Sequence, residues 1–320
     1  VAFTPAPLTG RQSVDNGIYR TETFFFSDEK PLTEVDVLFV VDNSGSMAAE
    51  AAKLSTALSS FVDGLTGVDW QIAITSSDVS DGSYSTRGRL VNMAGTNSNL
   101  LTKDTPNYEN VFLNTVVATG PNPTCAGGDL NYCGSGSEQP LEAARIIISE
   151  QSPANAAFFR PGADLVTIVL TDEDEKSDGP TDATTAEMLI AATNAVFNGT
   201  KQLSGFGIIV RPDDPTCIAT QQVNGGQPGD FVQHFADITS GETGSICDSD
   251  YGPALASIGQ RIKKYATTVA LTAMPVAGSV AVVLKPADPS INWTVIGNTI
   301  RLSDIPKKGT RMIVTYERAE

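Results

Sequence analysis

The chain has 320 residues, about two domains' worth at roughly 150 residues each. Its 21 basic and 37 acidic residues give a net charge of −16, which excludes duplex nucleic acid and anionic membrane as the main partner, since both need a cationic face. With 18% charged and 41% hydrophobic residues it is a folding composition, and its one histidine, His234, excludes His-rich zinc sites and two-histidine catalysis.

The chain opens on Val1, as expected of a processed protein. Ile18–Phe26 is strand-like and has two options: to join a C-terminal β module or to extend the main sheet at an edge. Val35–Val41 (VDVLFVV) is a continuous β-branched run, the mark of a strand covered on both faces. Met47–Leu65 follows with apolar residues at helical spacing. Asp69–Thr75 reads as a second strand and Arg87–Met93 as a short third. The stretch from about Asn97 to Gly136 reads as loop and holds Cys125 and Cys133. Glu138–Ser149 reads as a helix, with Ser135 and Glu138 fitting a capping box and Pro140 in the tolerated first turn.

Asp164–Leu170 is another buried strand, Asp182–Phe197 a helix and Ser204–Val210 a further strand. A long loop holds Cys217 and Cys247, with a short helix at Phe231–Ile238 between them. Tyr251–Tyr265 is the last helix. Strands alternating with helices imply α/β: a doubly wound, mostly parallel sheet flanked by helices. After about Ala266 the pattern changes to period-2 alternation over Val280–Leu284, Trp293–Val295, Ile300–Leu302 and Met312–Tyr316, a small antiparallel β module. The expected organisation is an extension over 1–34, an α/β domain over 35–266 and the β module over 267–320. No apolar run reaches the roughly 18 residues of a membrane span, so no direct membrane insertion is expected.

The four cysteines contain no C-x-x-C pair. An even number in Gly/Pro-rich loops suggests two disulfides and an oxidising compartment, the alternative being four buried thiols. Nearest-neighbour pairing gives Cys125–Cys133 and Cys217–Cys247, with loop-closure stabilisations of about 2.5 and 3.6 kcal/mol.

Two acids stand just beyond the carboxyl ends of buried strands: Asp42 after Val41, and Asp172 two residues after Leu170. In an open doubly wound sheet that edge binds ligands. Asp42, Ser44 and Ser46 present hard oxygens at every second position, a pattern suited to Mg²⁺, Mn²⁺ or Ca²⁺. The competing reading is a helix cap at Ser44 or Ser46. Asp78 and Asp81, after the second strand, are candidates to bound the same crevice or simple loop caps. Asp213, Asp214, Asp248 and Asp250 flank the second cysteine pair, as surface acids or a separate Ca²⁺ site. Asn198 and Asn292 head glycosylation sequons, and His234 reads as a packed or surface residue.

The run Val37–Met47 (VLFVVDNSGSM) and the strand–helix order over about Val35–Ala266 resemble the von Willebrand factor type A domain, shared with integrin I domains. That resemblance implies a metal-ion-dependent adhesion site. Asp42, Ser44 and Ser46 would be its first-loop ligands and Asp172 its third-loop acid, with Glu173 and Asp174 as neighbouring alternatives. The second loop is expected to give a threonine, but Cys133–Leu141 has none; Ser135 occupies the matching place and Ser137 is the runner-up. Glu138 is a further candidate, whose carboxylate would neutralise the metal and weaken binding of an acidic partner. The resemblance implies one divalent cation, Mg²⁺ first and Mn²⁺ or Ca²⁺ as alternatives. It implies a protein or glycan partner presenting an acidic group, and no enzymatic activity. The expected setting is extracytoplasmic: periplasm, outer surface or secreted, in a bacterial envelope. The alternative function is a structural subunit of a surface appendage or envelope assembly.

Overall fold

The computed structural model describes residues 12–15, 19–25, 34–47, 50, 53–54, 57–80, 85–119, 137–150, 155–161, 163–177, 183–199, 201–304, 306–307 and 309–319. Two N-terminal strands, β1 (Gln12–Asp15) and β2 (Tyr19–Phe25), precede β3 (Glu34–Val41). The chain then divides into two units, Val35–Gln260 and a second built from described residues within Ala2–Glu34 and Arg261–Glu320.

The first unit is a six-stranded sheet. Its strands are β3, β4 (Asp69–Ser76), β5 (Leu101–Thr102), β6 (Asp164–Thr171), β7 (Leu203–Ile209) and β8 (Thr243–Ser245), in the order β5-β4-β3-β6-β7-β8. β3–β6, β6–β7 and β7–β8 pair parallel, and β5 joins the edge antiparallel. Its helices are α1 (Leu58–Gly64), α2 (Tyr108–Thr119), α3 (Pro140–Glu150), α4 (Ala186–Phe197), α5 (Pro215–Gln221), α6 (Asp230–Ile238) and the part of α7 (Gly252–Ala266) up to Gln260.

The unbroken apolar run of β3 follows from burial on both faces. Leu38 and Val40 pack with Leu141, Ile147 and Ile148 of α3, Leu189 of α4 and Phe235 of α6. Phe39, pointing the other way, meets Phe61 of α1 and Phe112 of α2 edge to face, with ring centroids 5.7 and 5.2 Å apart. At the opposite end of the strand from the site, Asp36 is buried in ion pairs with Lys201 (3.2 Å) and Arg160 (2.8 Å).

The second unit is a pair of small antiparallel sheets. Besides β1 and β2 it contains β9 (Thr268–Ala270), β10 (Ala281–Lys285), β11 (Trp293–Ile296), β12 (Thr299–Leu302) and β13 (Arg311–Glu317). The sheets run β1-β2-β13-β10 and β11-β12-β9. Phe24, Val269, Leu271, Ile300, Met312 and Val314 form their common core. The N-terminal strand therefore belongs to this unit: β2 pairs along β13 from Tyr19↔Glu317 to Phe25↔Arg311. The fold class is thus α/β with a doubly wound, mostly parallel sheet, plus a small antiparallel β module.

Several expected elements differ. Arg87–Met93 is not a strand, because Arg87 and Gly88 adopt left-handed backbone (φ 52° and 67°) that breaks an extended run. The edge position goes to β5. The stretch read as loop contains α2, and the cysteine loop contains α5, whose N-cap is Asp214. α4 starts at Ala186 rather than Asp182, capped by the Thr185 hydroxyl accepting from the Met188 N–H. Of the expected helix Met47–Leu65, the described residues give a 3-10 turn at Gly45–Met47, helical backbone at Glu50, Lys53 and Leu54, and α1. Of the expected Ser135/Glu138 capping box, Ser135 lies outside the described residues; α3 begins at Pro140, so Glu138 lies before it, and its carboxylate takes the Ser77 hydroxyl.

Candidate functional site

β3 lies between β4 and β6, so the three carboxyl ends lie side by side. The chain runs from β3 out to β4 and later returns to β6 on β3's other flank, which makes this a topological switch point. Backbone bonds fix the three ends: Asp42 N–H to Leu170 O (2.9 Å), Ser77 N–H to Val41 O (3.1 Å) and Gln139 N–H to Ser77 O (3.1 Å).

A hydrogen-bonded chain links the two expected acids. Asp42 Oδ1 accepts from the Ser44 N–H (2.7 Å), Ser44 and Ser46 hydroxyls meet at 3.0 Å, and Ser46 Oγ donates to Asp172 Oδ1 (3.1 Å). Residues 42–46 thus turn back on themselves and lead into the 3-10 turn. Thr171, the last residue of β6, donates to Asp42 Oδ2 (2.7 Å). Ser77, just beyond β4, donates to Glu138 Oε2. Neither Thr171 nor Ser77 stood out in the sequence; the available signal was their place at buried strand ends. Asp42, Glu138 and Asp172 are all buried, Asp42 and Glu138 with 0% exposure.

The structure separates Asp172 from its acidic neighbours. Glu173 pairs with Lys176. Asp174 Oδ1 accepts from the Phe231 N–H at the start of α6 (3.0 Å), and Glu175 Oε2 accepts from the Leu141 N–H at the start of α3 (2.6 Å). Asp172 alone of the four reaches Ser46.

Burial dominates the electrostatics. It raises Asp42, against the opposing pull of the Ser44 N–H and the Thr171 hydroxyl. Burial first and the Asp42 charge second push Asp172 up to about 7 and carry Glu138 well above the ordinary carboxylate range. Among the described residues no Lys or Arg pairs with Asp42, Glu138 or Asp172. Glu138 Oε1 and Asn43 Oδ1 are buried with no hydrogen-bond partner among the described residues. No three His, Cys, Asp or Glu side chains among the described residues form a preformed metal cage. The donor set instead mixes carboxylates with the Ser44 and Ser46 hydroxyls. Hard oxygens, buried acids with no basic partner among the described residues and an orphaned carboxylate oxygen fit a divalent cation.

Ser135, Asp81, Cys125 and Cys133 lie outside the described residues. Ser137 precedes Glu138 and is partly buried. Cys217 and Cys247 form a disulfide with Cα atoms 5.7 Å apart. Asp78 is buried and accepts from the Ser80 N–H (2.9 Å), a loop cap. Asp213 pairs with Arg211, Asp214 caps α5, and Asp250 accepts from the Gly252 N–H (2.8 Å). Asp248 sits in the turn beyond β8. His234 pairs with Glu187 on the surface. Asn198 ends α4 in left-handed backbone and Asn292 is exposed, its N–H on Ser303 Oγ.

The fold and these strand ends define a doubly wound α/β domain with a cluster of buried oxygen-bearing side chains at its switch point. No protein-family model and no curated protein matches the chain. Among solved structures, the pilus adhesin SpaC of Lactobacillus rhamnosus GG in its open conformation is 12% identical, with a TM-score of 0.39, over 97% of this chain and 42% of SpaC. Proximal thread matrix protein 1 of the mussel byssus is 12% identical, with a TM-score of 0.38, over 75% of this chain and 50% of that one. The human COPII-coat protein Sec24c is 11% identical, with a TM-score of 0.38, over 94% of this chain and 42% of its own. The chain thus spans half or less of each of these proteins, and at such TM-scores the likenesses carry no argument about activity or partners.

Proposed function

We propose that the chain is an extracytoplasmic, cation-dependent adhesion or ligand-binding protein. Asp42, Ser44, Ser46 and Asp172 would hold one divalent cation, Mg²⁺ first and Mn²⁺ or Ca²⁺ as alternatives, with a second-loop oxygen expected from Ser135. A protein or glycan partner completes the coordination; the resemblance to von Willebrand type A domains makes its donor an acidic group. The bound cation supplies a concentrated positive charge in a protein of net charge −16. Within about 10 Å at ordinary salt it governs recognition. The reading assigns no reaction to the site. The observation that carries it is two buried acids on adjoining strand ends, joined through Ser44 and Ser46 and paired with no basic side chain among the described residues. The Cys217–Cys247 disulfide supports an oxidising compartment.

The test is thermal melting of metal-stripped protein with Mg²⁺, Mn²⁺ or Ca²⁺ restored. Cation at a hundredfold excess over Kd should stabilise wild type by about 2.7 kcal/mol, and Asp42→Ala should show no shift. A flat response in wild type sinks the cation reading. A structural subunit of a surface appendage or envelope assembly then takes its place. That second reading is favoured by β11, where Trp293, Val295 and Ile296 are all exposed.

A further inference from the structure

All four residues of β11 are exposed. The strand pairs with β12 on one side, and no strand lies along its other side among the described residues. Proteins blunt such edges with charge, proline or brevity, because an open edge invites another strand. The other sheet edges here are blunted in those ways. β5, β8 and β9 are two or three residues long, β1 ends on Asp15, and β10 ends on Lys285 just before Pro286. β11 is longer than the first three and lacks the charge of the other two: residues 289–300 contain no Asp, Glu, Lys or Arg.

The strand also sets its own register. The Ser303 N–H donates to Asn292 O (2.8 Å) across the ladder with β12. Bonding alternates along an antiparallel strand, so Thr294 and Ile296 bond to β12, and Trp293 and Val295 turn their N–H and C=O groups to the open side. A second β11, antiparallel about a two-fold axis at Thr294, sets Trp293 of each copy opposite Val295 of the other, and each pair exchanges two backbone bonds. Trp293 and Val295 lie on the face that carries Leu302 and Ile300 of the core, so their side chains from both copies form one apolar stripe. A chain of net charge −16 repels its own copy over most of its surface, and approach is least opposed where charge is absent. The one charge on β12, Arg301 opposite Thr294, would stand three strand spacings, about 14 Å, from its counterpart, beyond the screening length of about 8 Å.

We propose that β11 is a self-association edge: two copies of the chain join antiparallel about a two-fold axis at Thr294, turning two three-stranded sheets into one of six strands. The contact uses the same patch on both copies and closes at two, so it builds pairs and not filaments. It needs no cation, so it stands or falls apart from the reading above.

The experiment follows the full chain by sedimentation in EDTA, from micromolar to submillimolar concentration, for wild type, Thr294→Lys and Val295→Pro. Thr294→Lys sets like charges face to face at the axis, and Val295→Pro removes a donor that β12 does not use. Wild type should dimerise, and each substitution should raise the dimer Kd at least about tenfold. Register is read separately by cross-linking Thr294→Cys and Ile296→Cys with copper phenanthroline. Thr294 faces itself in a non-hydrogen-bonded pair, with Cα atoms about 4.5 Å apart and within disulfide reach; Ile296 lies about 14 Å from its counterpart. A covalent dimer should therefore form through Thr294→Cys and not through Ile296→Cys. A wild type that stays monomeric throughout, a dimer that survives Thr294→Lys, or equal cross-linking of the two cysteine variants overturns the proposal.

Discussion

Asp172, Glu173, Asp174 and Glu175 are indistinguishable by composition, yet each carboxylate ends on a different partner: Ser46, Lys176, the start of α6 and the start of α3. The sequence singled out Asp172 by its place beyond a buried strand and by the resemblance, with Glu173 and Asp174 left as alternatives, and the contact with Ser46 is what separates it from them. The two helix-start roles were not legible, since they join residues 57 and 34 positions apart. Glu175 carries a consequence for pH. Burial pushes its carboxyl up to about 7, against the hydrogen bonds from Ser177 and Leu141. From about 4.5 to 7 the folded state keeps a proton that the unfolded chain has released, so stability falls as pH rises and the loss is complete above 7, up to about 3 kcal/mol. Glu175→Gln, which still accepts from Leu141, should gain on wild type between about pH 5 and about pH 8 in urea unfolding. A gap that stays constant across that interval contradicts the assignment.

At the scale of elements, β3, β4, β6 and β7 were legible because strands covered on both faces must be apolar throughout. α2 was not, since Phe112, Thr115 and Val116 give it only a thin buried stripe. α5 was hidden by its brevity; it needs Asp214 as a cap and Cys217 as an anchor. Nor could any pattern show that α1 and α7 touch backbone to backbone. A Cβ added to Gly259 would lie 2.5 Å from Phe61 O, and one on Gly64 2.9 Å from Ala256 O. These contacts are with main chain, which cannot swing aside. Gly259→Ala should therefore destabilise the first unit by about 1–3 kcal/mol, against the usual helix-favouring gain, read as a lower urea midpoint at unchanged slope. A midpoint equal to or above wild type would mean the helices move apart freely.

For the whole molecule, the sequence left the N-terminal strand two destinations, because a short strand with three phenylalanines fits either edge. The pairing of β2 with β13 settles it and makes the second unit from segments on both sides of the first. Glu22, opposite Val314, is buried and accepts from the Tyr316 hydroxyl and the Thr272 N–H, so this junction also carries polar specificity. β2 and β13 are antiparallel, with Tyr19 opposite Glu317 at one end of the ladder. A pull entering at Tyr19 and leaving at Glu317 therefore loads the ladder one residue pair at a time, as a zipper and not in shear. Residues 35–260 lie between the two strands in the chain and feel no tension until that zipper has opened. Single-molecule stretching from those two points should show a small, low-force extension before the large one, and the large one alone once Thr21→Pro and Thr23→Pro have broken the pairing of β2 with β13. The interleaved chain order thus acts as a mechanical fuse, shielding the cluster at the switch point from load.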